Sequence, residues 1–289
     1  NGIQTADEAS ANILWEERFL PMSIKHLGPS LLATEVLLPL DQVASYHEKI
    51  TEWGKRLGLT LYPTSHLVNS KQVLFLAMLA TDHRKAIFYA DLMLIPMMVR
   101  LAVQFYHGKP YGLGIWNTPF LHHLYPKKEL KELARYKKKV DPDGILNPGK
   151  FFRVSGRLGP LQRMLFHAGV FDLELSTAQW LMFKFFSLIP EKTLRRRVPV
   201  VPEGLEEIFT DILSCAQCGS CVSQCPVYGA TRDETFTARG KLLIIKRALE
   251  KNSLELSKVL PLYFCMHCGR CDEGCQVNLK HRQLFDDLE

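Results

Sequence analysis

The stretch CAQCGSCVSQC, from Cys215 to Cys225, decides the fold of the C-terminal part of this 289-residue chain. Its four cysteines follow the spacing C-x2-C-x2-C-x3-C, and CMHCGRCDEGC, from Cys265 to Cys275, repeats that spacing. The two runs contain all eight cysteines of the chain. Any chemistry that the cysteines carry is therefore built from these two runs.

The repeated spacing is that of bacterial two-cluster ferredoxins, in which the fourth cysteine of each run ligates the cluster of the other run. Three closely spaced thiolates can wrap one face of a cubane cluster from a tight loop, while the fourth points toward its neighbour. The predicted ligand sets are Cys215, Cys218, Cys221 and Cys275 for one 4Fe–4S cluster, and Cys265, Cys268, Cys271 and Cys225 for the other. Two such clusters predict a protein that transfers electrons.

Other uses of the cysteines fit the sequence less well. A structural zinc site is complete with four ligands in widely separated pairs, whereas each run here adds a third cysteine after the same short gap. Disulfide frameworks belong to short secreted chains, and no signal peptide is recognisable at the start of the sequence. Clustered thiolates without a sign of export predict a reducing, cytoplasmic compartment.

Length and composition predict a globular chain of two domains, at about 150 residues per domain. Hydrophobic residues make up 47% of the chain, and the net charge is +6. This mildly basic balance is compatible with an acidic substrate, an anionic membrane surface or an acidic partner, and it selects none of them. Basic residues are not interleaved with aromatic ones in a stripe, so we expect no nucleic-acid partner.

The N-terminal half alternates between strand and helix patterns in the order β-α-β-β-α. The strand candidates are Leu31–Leu38, Leu59–Ser65 and Val73–Ala80. Between the first two lies a helix pattern, with Asp41 as its N-cap and Gly58 as its C′ residue. This order predicts an α+β fold with a ferredoxin-like antiparallel sheet.

A long apolar helix is predicted from a cap at Asp82 to about Tyr106, and an exposed basic helix follows at Lys127–Lys139. The long helix is apolar enough to raise the question of a membrane span. It contains Asp91, Pro96 and Arg100, and charges at that depth are expensive in lipid. A buried, Pro-kinked core helix is therefore the favoured interpretation.

A turn-rich string, VDPDGILNPGKFF, covers Val140–Phe152. Taken alone, its Asp-Pro and Asn-Pro-Gly turns indicate only a loop that ends a domain. The string resembles the closing motif of FAD-linked oxidases of the glycolate oxidase, D-lactate dehydrogenase and vanillyl-alcohol oxidase type. Similar stretches of that family are WEERF at Trp15–Phe19, EVLLPL at Glu35–Leu40 and, beside the flavin, YGLG at Tyr111–Gly114.

The cysteine half resembles the glycolate oxidase iron–sulfur subunit and heterodisulfide reductase-like proteins, including ARGK at Ala238–Lys241 before a helix. The two resemblances imply an FAD-linked oxidase C-terminal cap domain at 1–154 and a helical linker at 155–204. An α-helical dicluster ferredoxin-type domain is expected at 205–289.

The resemblance implies FAD as a cofactor, largely bound by a domain or subunit outside this sequence. In the family an FAD-binding domain with a pyrophosphate loop would precede residue 1, and no G-x-G-x-x-G cradle is found here. Either a separate subunit supplies that domain, or the sequence is a piece of a longer chain. The implied flavin contacts are Gly112, Gly114, Asn147, Gly149 and Lys150.

Two catalytic candidates come from the same resemblance. Tyr111 stands where many relatives have the His of an E-H-G-x-G run, and it could move a proton near the flavin N5; a core or rim Tyr is the alternative. His66 lies in TSHLVN, which corresponds to the family's G-H-x-G-D-G-N-x-H metal segment without its Asp or second His. This departure argues against a divalent metal that clamps a hydroxyacid carboxylate. Lower-ranked candidates are His107, His122 and His123.

The segment between the halves contains a capping-box pattern at Ser176–Gln179 and an apolar helix pattern at Gln179–Ile189. Lys192 and Arg195–Arg197 follow it. An apolar helix beside a basic cluster either lies on an anionic membrane, as a peripheral contact, or packs in the protein. Packing is favoured because the helix is apolar on nearly every side.

Two functional hypotheses remain open. The first is a flavin-dependent dehydrogenase component that oxidises a 2-hydroxyacid or alcohol through FAD and passes electrons through two 4Fe–4S clusters to an acceptor. The acceptor would be a quinone, an electron-transfer flavoprotein or another iron–sulfur protein. The second is a non-catalytic iron–sulfur electron-transfer subunit of a larger redox complex. Both require a flavin-binding or redox partner, located in the cytoplasm or peripherally at the inner membrane.

Overall fold

The structure is a computed structural model that describes residues 7–16, 20–28, 30–83, 85, 87–112, 114–152, 154, 159–185, 206–251 and 260–287. The strands are β1 (Ser30–Pro39), β2 (Tyr62–Asn69), β3 (Gln72–Thr81) and β4 (Lys109–Pro110). The α-helices before residue 200 are α1 (Glu8–Glu16), α2 (Val43–Arg56), α3 (Phe88–Phe105), α4 (Leu121–Leu124), α5 (Lys127–Val140), α6 (Gly159–Leu165) and α7 (Ala168–Phe185). Those after it are α8 (Glu206–Ser214), α9 (Ser220–Gln224), α10 (Pro226–Thr231), α11 (Ala238–Lys251), α12 (Arg270–Glu273) and α13 (His281–Asp286). Short 3-10 helices cover Leu20–Leu27, Leu40–Gln42, Ile115–Phe120, Glu234–Phe236 and Leu260–Tyr263.

The chain packs as two compact units. The sheet unit comprises Leu32–Leu79 and Ala86–Arg195. The cysteine unit comprises Asn1–Leu31, Ala80–Lys85 and Arg196–Glu289. These units are defined by packing, whereas the division into 1–154, 155–204 and 205–289 follows family resemblance and stays a prediction.

The four strands form one sheet in the order β2-β3-β1-β4. Strand β1 pairs antiparallel with β4, and β2 pairs antiparallel with β3. Thr34, Val36 and Leu38 alternate as buried residues along β1, which is the pattern of a strand with one face on the core. Helices and an antiparallel sheet occur together, so the α+β prediction is confirmed.

The sequence patterns located most elements correctly and missed some of their ends. The helix with Gly58 as its C′ residue is confirmed, since α2 ends at Arg56 with Leu57 as its C-cap, and Gly58 follows with a φ of +69°. Asp41 is not its N-cap, because the chain first makes a 3-10 turn and Gln42 takes the cap position. Asp82 does not cap the long helix either, because α3 starts later, with Ile87 as its N-cap. The two-residue strand β4 was missed, since it is too short to show a period.

Helix α3 is the one helix in the described residues that is long and apolar enough, by length and composition, to cross a membrane. A buried core helix passes the same test, and 50% of the apolar window is buried inside the protein. Asp91 and Pro96 lie within that buried part. Arg100 forms an ion pair with Asp172 of α7 at 2.6 Å. The prediction of a buried core helix is therefore confirmed.

Helix α7 starts well before the predicted capping box. Ser176 and Thr177 lie inside the helix, where their hydroxyls donate to the carbonyl oxygens of Asp172 and Leu173, four residues back. Such internal bonds satisfy the hydroxyl groups, and the capping-box prediction is wrong for that reason. Leu175 of α7 is fully buried in the core of the sheet unit. The basic cluster Lys192 and Arg195–Arg197 lies outside the described residues.

Asp141 organises the turn-rich closing string. Its buried carboxylate accepts hydrogen bonds from the backbone N–H groups of Ile145 and Leu146, at 2.9 and 3.1 Å. It also pairs with Lys137 in the last turn of α5. The hydrogen bond from Lys137 is the main cause that holds the pKa of Asp141 below its ordinary value, and the two backbone N–H groups add to it. Asp143 of the same motif is exposed.

We expect Asp141→Asn to lower the urea midpoint of the sheet unit at neutral pH, because the neutral amide loses the ion pair and one acceptor. Since the pKa is lowered in the folded state, this stabilisation is complete above the ordinary Asp pKa of about 3.9 and is lost as the pH falls through the lowered folded value. The measurement is urea unfolding followed by tryptophan fluorescence at neutral and acidic pH. Asp143→Asn is the matched control and should leave the midpoint unchanged; equal effects of the two variants would contradict the assignment.

Candidate functional site

The two cysteine runs adopt the same backbone conformation. Gln217 and His267 precede the second cysteine of each run with φ of +57° and +48°, and Gly219 and Gly269 follow it with φ of +86° and +75°. Left-handed residues placed between right-handed ones turn successive backbone N–H groups into an anion-binding concavity, a geometry found at many iron–sulfur sites. Each loop leads directly into a short helix, α9 or α12, that carries the third cysteine.

The four thiols of the first predicted ligand set lie close enough to influence one another electrostatically. Burial raises the pKa of the Cys215 thiol, and the charges of Cys275 and Cys218 raise it further. Burial likewise raises the pKa of Cys221 to about 11, with added effects of Cys215, Cys218 and Cys275. Cys275 belongs to the other run, as in the crossed ligand set predicted from the spacing, and the ligation itself stays a prediction.

The four thiols of the second predicted set line one small cavity. Cys225 of the first run lines it together with Cys265, Cys268 and Cys271 of the second. Burial, followed by the nearby carboxylate of Asp272, raises the pKa of the Cys271 thiol to about 12. Four thiols gathered around one cavity are the donor set of a metal cluster, because thiolates so close together are stable only when a metal offsets their charge.

The residues just before the two fourth cysteines touch each other. A Cβ atom at Gly274 would lie 2.6 Å from the side-chain Cδ of Gln224. Gln224 precedes Cys225 and Gly274 precedes Cys275, so both fourth cysteines lie next to the point of contact between the two runs. This approach gives each fourth thiol access to the other run.

The ARGK stretch forms the first turn of α11, and the residue before it, Thr237, caps this helix by accepting from Gly240 N–H at 3.2 Å. Arg239 donates to the carbonyl oxygen of Gln217, in the first loop, at 3.1 Å. Lys241 donates to the carbonyl oxygens of Leu262 and Phe264, just before the second run, at 3.1 and 3.0 Å. The motif therefore holds both loops, a role that its spacing did not reveal.

The N-terminal 3-10 helix Leu20–Leu27 also supports both runs. Lys25 donates its ammonium group to the carbonyl oxygen of Cys215, and the Nε2 atom of His26 hydrogen-bonds the carbonyl oxygen of Val277 at 2.6 Å. These contacts join segments about 190 and 250 residues apart. No local pattern identified Lys25 or His26 as supporting residues.

In the sheet unit, the structure joins the Gly-rich segment to the closing string. The hydroxyl of Thr118 lies 3.0 Å from the carbonyl oxygens of both Gly114 and Lys150. Asn117 donates its side-chain amide to the carbonyl oxygen of Gly112 at 2.6 Å. Asn147 and Gly149 of the closing string adopt positive φ, at +46° and +68°. Three of the five implied flavin contacts, Gly112, Gly114 and Lys150, are thus brought together.

The two catalytic candidates are not brought together. His66 is an exposed residue of β2 at one edge of the sheet, where it lies opposite Leu74 of β3. Tyr111 follows β4 at the other edge, is 51% exposed and donates its backbone N–H to the carbonyl oxygen of Glu35. The two edge strands lie three strand spacings apart, roughly 14 Å. One substrate atom cannot be reached by both side chains.

An open cleft of about 450 Å³ lies beside Thr118 in the sheet unit. His122, Arg163 and His167 line it, with Phe152 and Phe166 among its apolar walls. No Asp or Glu is among the described residues that line this cleft. Sequence reasoning ranked His122 low and missed Arg163 and His167, because only the fold gathers them around one cleft.

Comparison with known proteins gives the class of each half. Residues 1–151 match the family described as FAD linked oxidases, C-terminal domain, and residues 211–279 match the 4Fe-4S dicluster domain. The first match covers more than half of the 289 residues, and the chain belongs to the FAD linked oxidase family through that C-terminal domain. Its cofactors are 4Fe–4S clusters and FAD, as the sequence predicted.

Among curated proteins, the glycolate oxidase iron-sulfur subunit of Escherichia coli (strain K12) is 33% identical over 73 residues. The aligned part is 25% of this chain and 18% of that protein, so the chain matches less than a fifth of the relative's length. No solved structure matches the chain. The family and the relative confirm the resemblance stated from the sequence, and both halves match redox proteins.

Crossed ligation predicts how much iron is lost when two cysteines are replaced together. Cys215→Ala with Cys275→Ala removes two ligands of one cluster, so iron should fall from about eight to about four atoms per chain. Cys215→Ala with Cys225→Ala removes one ligand from each cluster, and little iron should remain. The measurement is iron and sulfide analysis of anaerobically purified protein. If the second pair retained half of the iron and the first pair lost all of it, each run would hold its own cluster.

Gly240 should be essential for the packing of α11. A Cβ atom there would overlap the carbonyl oxygen of Glu234 and lie 2.8 Å from the Cα of Thr235, both of which are backbone atoms that cannot move aside easily. We expect Gly240→Ala to destabilise the cysteine unit by about 1–3 kcal/mol. Gly229→Ala is the matched control, since it meets no atom within 4 Å and should be neutral or stabilising by about 0.4–1 kcal/mol. Chemical unfolding of both variants tests the difference, and equal stabilities would contradict it.

Proposed function

We propose that the chain is a component of a flavin-dependent dehydrogenase, which passes electrons from the oxidation of a 2-hydroxyacid or alcohol through FAD and two 4Fe–4S clusters to an acceptor. The observation that carries this proposal is the presence, in one chain, of an FAD linked oxidase domain and two cysteine quartets with 4Fe–4S spacing. When bound, FAD accepts two electrons from a substrate and releases them one at a time, which is how clusters carry them.

In this proposal the cysteine unit holds the clusters through the crossed ligand sets given above. The thiols release their protons on binding, because the thiolate is the ligand. Backbone N–H groups of the two loops offset part of the resulting negative charge, as at other iron–sulfur sites. The N–H of Gln217 already points at the Cys215 sulfur at 3.4 Å, and that of Leu279 at the Cys275 sulfur at 3.3 Å.

The sheet unit would supply the flavin contacts and the substrate side. Gly112, Gly114, Asn147, Gly149 and Lys150 are proposed to meet FAD, most of which is bound by a separate domain or subunit. Tyr111 would hold or move a proton at its exposed phenol oxygen. The cleft supports a substrate with a carboxylate, because Arg163 and two imidazoles line it without an opposing carboxylate. Glycolate, named in the E. coli relative, is a 2-hydroxyacid.

Several wider expectations belong to the same proposal. The strand order β2-β3-β1-β4, with α2 and α3 between strands, supports a ferredoxin-like sheet. A domain at 1–154, a helical linker at 155–204 and a dicluster domain at 205–289 are proposed on the family resemblance. The acceptor would be a quinone, an electron-transfer flavoprotein or another iron–sulfur protein. We propose a cytoplasmic location, with peripheral contact at the inner membrane as the alternative.

A second candidate function is a non-catalytic iron–sulfur subunit of a larger redox complex. The separation of His66 and Tyr111 at opposite edges of the sheet favours it, because the two catalytic candidates do not form one site. The similarity to an iron–sulfur subunit, which aligns over 73 residues, favours it as well. In that case the sheet unit serves as a docking scaffold.

Anaerobic native mass spectrometry of protein purified untagged from its source separates the two functions. Two clusters together with FAD, on an extended chain or with a partner subunit, would support the dehydrogenase. Bleaching of the cluster absorbance by glycolate, D-lactate or a primary alcohol would then identify the substrate class. Two clusters with neither flavin nor a flavin-binding partner would leave an electron carrier.

Tyr111→Phe tests the proposed proton role. If the phenol oxygen moves a proton during substrate oxidation, the variant should slow substrate-driven cluster reduction by about 10²–10⁴-fold, the usual contribution of a positioned acid or base. Reduction by dithionite should stay unchanged, because it bypasses the substrate. Tyr136→Phe is the matched control, since Tyr136 is an exposed residue of α5. Equal rates for wild type and Tyr111→Phe would remove Tyr111 from the mechanism.

A further inference from the structure

Lys241 carries a positive charge into the core of the cysteine unit. Its side chain is fully buried, and the residue is 1% exposed. The ammonium group donates to the carbonyl oxygens of Leu262 and Phe264 and lies 5.1 Å from the centre of the Phe285 ring. In the part of the chain that the structure describes, no carboxylate forms an ion pair with it. Lys241 is therefore a buried cation with only neutral partners.

Such an arrangement is costly without a counter-charge. Burying an ammonium group without an opposite charge costs several kcal/mol, and carbonyl dipoles and an aromatic face offset only part of this. Lys241 lines the same cavity as Cys225, Cys265, Cys268 and Cys271. A cluster held by four thiolates is an anion, so the missing counter-charge is the group that this cavity would hold.

Arg239 shows the opposite arrangement in the same helical turn. Its guanidinium group forms an ion pair with Glu234 at 2.6 Å, and its side chain is 25% exposed. It contacts the first loop through the Gln217 carbonyl oxygen. The positive charge of Arg239 is thus neutralised by a carboxylate of the chain, whereas that of Lys241 is not.

We propose that the Lys241 ammonium is a buried counter-charge of the second cluster, in a cavity that Arg270 and Arg282 also line, and that it raises the reduction potential of that cluster. The inference rests on the cluster ligation within the proposed function, not on the flavin chemistry. Reduction adds one electron to the cluster, taken from a one-electron donor, and makes or breaks no bond. A fixed positive charge beside the cluster favours the more negative, reduced form. Asp272, whose carboxylate oxygen lies 3.7 Å from the Cys271 sulfur, acts in the opposite direction.

The test is the reduction potential of the second cluster in Lys241→Met, which keeps the length of the side chain and removes its charge. Full-length protein purified anaerobically is titrated with dithionite at fixed pH and followed by electron paramagnetic resonance. The same titration in the Cys215→Ala, Cys275→Ala background assigns the signal. We expect the one-electron reduction of the second cluster to become at least tenfold less favourable, a fall of about 59 mV, while the first cluster is unchanged.

Two control variants separate charge from packing. Lys241→Arg keeps the charge and should titrate near wild type. Arg247→Gln removes one charge from an exposed position on the same helix and should have no effect, since solvent screens it. An unchanged potential in Lys241→Met, with both clusters present, would overturn the proposal.

A loss of the second cluster in Lys241→Met would be resolved with Lys241→Gln, which keeps hydrogen-bond donors without the charge. Retention in Lys241→Arg and loss in Lys241→Gln supports the counter-charge. Retention in Lys241→Gln at the wild-type potential, or loss in Lys241→Arg as well, overturns it in favour of packing alone. These readouts use no substrate, so a failure of substrate oxidation leaves them intact. A wild-type protein without a second cluster would instead refute the proposed ligation.

Discussion

Two quartets of thiolates must be assembled from one short stretch of chain, and mutual repulsion between thiolates is the constraint on which the cysteine unit depends. The fold meets it with backbone N–H groups aimed at sulfur and with cations, Lys25, Arg239 and Lys241, held beside the loops. The N–H of Gln217 points at the Cys215 sulfur. Gln217 and His267 are left-handed although neither is a glycine, and each conformation is strained. Such strain persists only where the surrounding structure imposes it. Because the same strain occurs in both runs, we infer that it serves the same purpose in both, which is to shape the loop around a cluster.

The ligand spacing could be predicted from the sequence because all that it requires is local. Each loop closes within seven residues, from Cys215 to Cys221 and from Cys265 to Cys271. The supports of these loops could not be predicted, because Lys25 reaches Cys215 across about 190 residues of chain and no local period records such a contact. The ARGK stretch could be recognised as a motif. Only the structure shows that its Arg239 bonds the first loop and its Lys241 the segment before the second.

In the sheet unit, too, features of single elements could be predicted from the sequence, whereas features that depend on distant segments could not. Alternating burial along β1 and the apolar spacing of α2 are visible in the sequence, since each concerns one element. The distance between His66 and Tyr111 depends on strand order, which the family resemblance alone did not supply. Likewise, the sequence pattern at Ser176 predicted a helix start, whereas the hydroxyl of Ser176 bonds the carbonyl oxygen of Asp172 in the middle of α7.

The contact between Gln224 and Gly274 has a consequence for the internal symmetry of the molecule. The two runs are copies in spacing and in backbone conformation, but at equivalent positions one carries an amide side chain and the other carries none. The amide fills the space that its counterpart leaves empty. A chain built from two identical copies of the first run would place two amide side chains in that space. The two runs can therefore pack against each other only because one has Gln and the other has Gly at this position.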